Sequence, residues 1–176
     1  MKNEQDKMLQ ALQIAIQMEI DGKKYYQKIG NETNNQLGRE LFESLSIEEN
    51  FHRQKFEEIF EAIRSKKDWP EIDFQLDGGK RLRTIFSEAI WKIDSDIKTP
   101  TSELEAIKTA IDMENKTYDF YRSQGKIAVY DVERGFYDVL AAQEREHQLV
   151  LLDYYEYLKD QAGWFMAKEH SSMDGG

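Results

Sequence analysis

The chain has 176 residues, 33% charged and 40% apolar, with a net charge of -10 and no cysteine. One domain of that length buries roughly two-thirds of its unfolded surface, whereas two would each be thin. The negative charge opposes binding to nucleic acid, and the missing cysteines exclude disulfides, thiol catalysis and cysteine-ligated metal, leaving nitrogen and oxygen donors for any ion.

Helical periodicity dominates, and no period-two strand survives inspection. The first helix is predicted over about Glu4 to Gly30, closed by a glycine C-cap, and the second over about Asn35 to Ser65, after the polar turn Asn31-Glu32-Thr33-Asn34. So short a loop makes them antiparallel neighbours. Residues from about 66 to 100 form a long crossover with Trp69-Pro70, Gly78-Gly79 and a short helix predicted from Lys80 to Ile93. The third helix starts near Thr101, where Pro100 precedes it and Ser102 with Glu105 matches a capping box, and it reaches about Gln124. The fourth spans about Asp131 to Lys159. Two helical hairpins joined by one long crossover predict an all-α, ferritin-like four-helix bundle over residues 1–160, with residues 161–176 as a fraying tail.

The core-facing positions recur at steps of three and four. They read Leu12, Ala15, Glu19, Gly22 and Tyr26 in the first helix, and Ile107, Ala110, Glu114, Thr117 and Tyr121 in the third. In the second they include Leu45, Glu49, His52 and Phe56, and in the fourth Leu140, Glu144, His147 and Leu151. The two halves correspond at a constant offset of ninety-five residues, which marks an internal repeat. Six polar residues, Glu19, Glu49, His52, Glu114, Glu144 and His147, therefore sit inside the apolar stripe. One Glu-x-x-His arises easily by accident among 34 acidic residues; two, each with a glutamate thirty residues upstream, make a specific pattern.

Removing a carboxylate from water costs several kcal/mol even after relaxation, and four converging on one layer repel each other. With no lysine or arginine in the same rows, two divalent ions are the economical counter-charge. Glu49 and Glu144 are best placed to bridge them, Glu19 and Glu114 to bind one each, and His52 and His147 to give one imidazole per metal. Oxygen-rich sites with one imidazole suit iron or manganese, with zinc able to occupy them in a purified sample. Two iron ions are the expected cofactor, since paired ions deliver two electrons together to peroxide or dioxygen.

At these residues the chain resembles the rubrerythrin branch of the ferritin-like di-iron proteins, whose pattern is a glutamate, a tyrosine seven residues on, then Glu-x-x-His, all repeated. Here that reads Glu19, Tyr26, Glu49 and His52, then Glu114, Tyr121, Glu144 and His147, within a similarity covering about Leu12 to Leu158. The resemblance implies that the six ligands carry over and act, through the metals, in reducing hydrogen peroxide or dioxygen, in protection against oxidative stress. It also implies a homodimer. Typical rubrerythrins append a four-cysteine rubredoxin domain; this sequence holds no cysteine, so an external electron donor, such as a rubredoxin-like protein, is expected. Well-studied members carry an extra glutamate one turn after the third-helix ligand, where this chain has Thr117, matched by Gly22. Two other readings stay open: an iron-binding or storage protein of ferroxidase type without substrate turnover, and a structural or interaction bundle.

Among the remaining residues, Tyr26 and Tyr121 are read either as core aromatics or as partners of the ligands, and Phe51 and Phe56 as packing. Glu48 and Glu146 are read as surface charge, His170 as a stray tail histidine, and Trp69, Trp91 and Trp164 as anchors for the crossover and tail. No window reaches the ~18 uninterrupted apolar residues of a membrane span, and the polar start Met1-Lys2-Asn3-Glu4 has no apolar run behind it, so no membrane contact and a cytoplasmic location are expected.

Overall fold

The computed structural model describes residues 2–65, 68–70, 82–84, 87, 101–161, 163, 164 and 166. Four long helices carry most of these residues: α1 (Lys2–Glu32), α2 (Gln36–Arg64), α3 (Thr101–Ile127) and α4 (Asp131–Lys159). No strand occurs among the described residues, and α1 with α2 and α3 with α4 pair as hairpins. The all-α bundle expected from periodicity is the observed one.

Local chemistry sets the helix ends. Asn35 caps α2, its side chain accepting from Leu37 N at 3.0 Å. Glu133 reaches back from the first turn of α4 to accept from Val129 N at 3.1 Å. Two expected devices differ. Helix α1 runs through Gly30 to Glu32, so Gly30 is not a C-cap; a Cβ there would lie 3.3 Å from that of Phe42, and the missing side chain lets the first hairpin close tightly. Ser102 lies inside the first turn of α3 rather than at its cap, and Glu105 engages Lys108 at 2.9 Å instead.

The ends of the helices fix the topology. Ile63, at the end of α2, shares a cluster with Phe136 and Tyr137 of α4. The start of α3 lies at the opposite end of the bundle, where Thr33 donates to Glu103 at 2.5 Å and Tyr25 donates to the Ala106 carbonyl at 2.9 Å. The end of α2 and the start of α3 therefore lie at opposite ends of the bundle, the arrangement of the two hairpins in a ferritin-like fold. Trp69 packs against Phe136 and Tyr137 at one end, and Leu82 is buried in the cluster at the other. Trp164 meets Tyr157 edge-on, anchoring the start of the tail. Apart from residues 82–84 and 87, which are helical, the expected Lys80–Ile93 helix lies outside the described residues, as do Trp91 and His170.

Two apolar clusters fill the bundle. One gathers Tyr26, Phe42, Leu45, Ala110, Leu151 and Tyr154; the other gathers Leu12, Ala15, Phe56, Tyr121, Tyr137 and Leu140. Between them lies a buried polar layer made of the six stripe residues. Phe56 packs in the second cluster, but Phe51 is 41% exposed with Lys55 Nζ over its ring, so only the former is core.

Candidate metal centre

Each helix delivers its share of the polar layer by simple periodicity. Glu49 and His52 are three apart on α2, and Glu144 and His147 three apart on α4, so each pair shares one inward face. Glu19 and Glu114 enter from α1 and α3. All six are buried, Glu19 and Glu144 completely. The imidazoles of His52 and His147 stack with centroids 5.7 Å apart, which brings the hairpins together at this level.

The geometry resolves into two ligand sets. Glu19, Glu49, His52 and Glu144 form one, and Glu49, Glu114, Glu144 and His147 the other, with one donor atom from each residue within 4.8 Å of the rest. Glu49 and Glu144 belong to both. His52 Nδ1 faces Glu19 at 3.4 Å and Glu144 at 3.2 Å, while His147 Nδ1 faces Glu49 at 3.1 Å and Glu114 at 3.5 Å. Each histidine thus meets the terminal glutamate of its own hairpin and the Glu-x-x-His glutamate of the other.

These donors fit a divalent metal pair. Glu19 Oε2, Glu49 Oε1, both carboxylate oxygens of Glu144 and His147 Nδ1 are buried without a hydrogen-bond partner. Such orphaned polar atoms are costly in an apolar bundle, and a cation among them would satisfy all at once. Carboxylate oxygen with imidazole nitrogen is the donor chemistry that iron and manganese accept.

Without metal, protons take over part of that role. Burial raises Glu49 and Glu144 well above the ordinary carboxylate range; Glu19 and Glu114 add to both, and Glu144 adds to Glu49. Burial also works to raise Glu114, but His147 beside it and hydrogen bonds that include Tyr26 hold it below the usual value. For the histidines burial opposes the charge, yet their glutamate neighbours prevail: His52 is raised, and His147 raised well above the ordinary imidazole value.

Both tyrosines prove to be partners of the buried glutamates. Tyr26 donates to Glu114 and Tyr121 to Glu19, each reaching across to the other hairpin. One reading of the sequence needs correcting. Glu48 is not a bystander surface charge, because its carboxylate meets His147 Nε2 at 2.9 Å. Gln143 Oε1 meets His52 Nε2 at 2.6 Å in the equivalent place. Each directly precedes a motif glutamate, and the ninety-five-residue offset relates them, a signal present in the sequence. Glu146 remains outside the centre, paired with Arg83. One turn after the terminal glutamates, a Cβ on Gly22 would lie 2.8 Å from Glu49 Oε2, and the Thr117 hydroxyl donates to the Met113 carbonyl at 3.1 Å. Neither position offers a further carboxylate.

The Rubrerythrin family model matches residues 10–155, most of the chain, a range that includes all six residues of the buried cluster. The chain belongs to the rubrerythrin family. Neither the curated proteins nor the solved structures compared with it gave a match. Membership in the rubrerythrins places the duplicated glutamate and Glu-x-x-His arrangement in a family of ferritin-like di-iron proteins, and the buried cluster of this rubrerythrin fits that description. Among the described residues no helix is long and apolar enough to cross a membrane.

Proposed function

We propose that the six-residue cluster holds two iron ions and that the protein is a non-haem oxidoreductase, coupling iron(II) oxidation to reduction of hydrogen peroxide or dioxygen in oxidative-stress protection. The observation that carries this reading is the pair of interlocking ligand sets sharing Glu49 and Glu144. Glu49 and Glu144, which belong to both sets, would serve both ions, Glu19 and Glu114 would hold one each, and His52 and His147 would give one nitrogen each. A ferrous pair there supplies two electrons together.

The chain's own residues bind, orient and shield. Burial and the adjacent glutamates push the phenols of Tyr26 and Tyr121 well up, so both stay protonated and keep donating to Glu114 and Glu19. Those hydrogen bonds fix one oxygen of each terminal carboxylate and leave the other for metal. The apolar clusters on either side exclude bulk water. A groove of about 550 Å³ on the α1–α2 face has Tyr26 in its wall, bringing solvent within one side chain of Glu114. Electrons that return the centre to its reduced form come from an external donor such as a rubredoxin-like protein, and the working unit is a homodimer.

Anaerobic protein loaded with iron(II) should consume about one equivalent of peroxide per metal pair, the peroxide taking two electrons and two protons to become two waters. Iron that stayed ferrous after peroxide would overturn the redox reading. A second reading, ferroxidase-type oxidation without turnover, draws support from Thr117, which supplies no carboxylate where well-studied rubrerythrins carry an extra glutamate, and whose match in the first half, Gly22, supplies none either. Repeated peroxide additions with a reductant present separate the two.

A further inference from the structure

The two ligand sets are alike in donor type: each has one terminal glutamate, one imidazole and the same two shared glutamates. The difference lies behind the histidines. His147 Nε2 faces the Glu48 carboxylate at 2.9 Å, whereas His52 Nε2 faces the Gln143 carboxamide oxygen at 2.6 Å. Glu48 and Gln143 occupy the same position in the two halves, each directly before its motif glutamate and each reaching the histidine of the other hairpin.

Both contacts do one common thing. A carboxylate or carboxamide oxygen only accepts, so the Nε2–H of each imidazole donates, and Nδ1 is left as the donor atom turned toward the glutamates. They differ in charge. A carboxylate behind an imidazole makes the ring a stronger base and places one more negative charge close to the cation, whereas a carboxamide gives orientation alone. Glu48 is 18% exposed, so its charge is only partly screened by solvent and is felt through the buried imidazole.

We propose that Glu48 is a positioning residue that makes the two halves of the centre unequal, so that the half built on Glu114 and His147 takes a divalent metal ion first and holds it more tightly. This rests on the reading of the cluster as a two-metal site. Partners behind metal-bound histidines change affinity by about 10- to 100-fold, so filling should be stepwise with dissociation constants at least about tenfold apart.

Zinc, which is diamagnetic, is the probe, added to the full chain with nitrogen-15-labelled histidine. The His147 Nδ1 resonance should shift with the first equivalent and that of His52 with the second. E48Q should bring the two dissociation constants within about threefold of each other, and the double swap E48Q/Q143E should reverse the order of the histidines. A general loss of structure cannot produce that reversal. Both histidines shifting together while two ions bind, or an order that the swap leaves unchanged, would overturn the inference and leave the two-metal reading intact. Binding of a single ion that shifts both histidines would instead overturn the two-metal reading, and the inference with it.

Discussion

Glu144 shows most plainly what a buried carboxylate costs in the metal-free protein. It is fully buried, both its oxygens lack a hydrogen-bond partner, and burial with Glu114 and Glu19 nearby raises it well above the usual carboxylate range. Replacing it by the neutral isostere, E144Q, should stabilise the metal-free protein by roughly 1–2 kcal/mol near pH 8 and by less near pH 5, where the native carboxyl already carries its proton. Thermal melts at the two pH values read this directly, and the same variant should lose the capacity for a second metal ion. Gly22 makes a different demand. A Cβ there would fall 2.8 Å from Glu49 Oε2, and only that carboxylate can give way. G22A should therefore leave the metal-free melting temperature unchanged or higher, since alanine gains about 1 kcal/mol in a helix, while weakening metal binding about tenfold in a zinc titration.

At the scale of the helices, the apolar clusters do the structural work and the polar layer rides between them. Phe56 is fully buried, 5.3 Å from the rings of both Tyr121 and Phe136, so F56A should cost about 3–5 kcal/mol in chemical denaturation. Phe51, five residues earlier and 41% exposed, should cost less than about 0.5 kcal/mol as F51A. The pair makes a sharp comparison because the two residues are chemically identical and both read as packing in the sequence, although only Phe56 lies in the periodic core row. What separates them is the angular position on α2: Phe56 continues the row of Glu49 and His52, and Phe51 falls outside it.

For the molecule as a whole, the centre links stability to pH. Glu49, Glu144, His52 and His147 all have native values raised above the ordinary ones. A raised value contributes stability that is complete below the unfolded-state pKa and is lost as pH climbs through the native one. For the glutamates that loss starts above the ordinary value of 4.5, and for the histidines above 6.5. Glu114 is lowered, and its contribution has the opposite sign, being lost only as acid takes pH below 4.5. Between about pH 5 and pH 8 the melting temperature of metal-free protein should therefore fall, and manganese should restore more of it at the higher pH, because binding displaces those protons. A metal-free melting temperature that rose over this interval would contradict the proposed sharing of protons within the cluster.

The sequence by itself determined the four helices, their pairing, the internal repeat and the six buried polar residues of the central layer. Each of these depends on where a residue lies around its own helix, and a spacing of three or four encodes that angle. Spacing carries no information about which residue stands opposite on another helix. Only the tertiary structure decided that His52 faces Glu144, that Tyr26 holds Glu114, and that Glu48 supports His147. Glu48 lies just off the inward row of α2, where a charged side chain reads as solvated. The packing of α2 against α4 brings the opposite imidazole within 2.9 Å of it and turns that charge toward the centre.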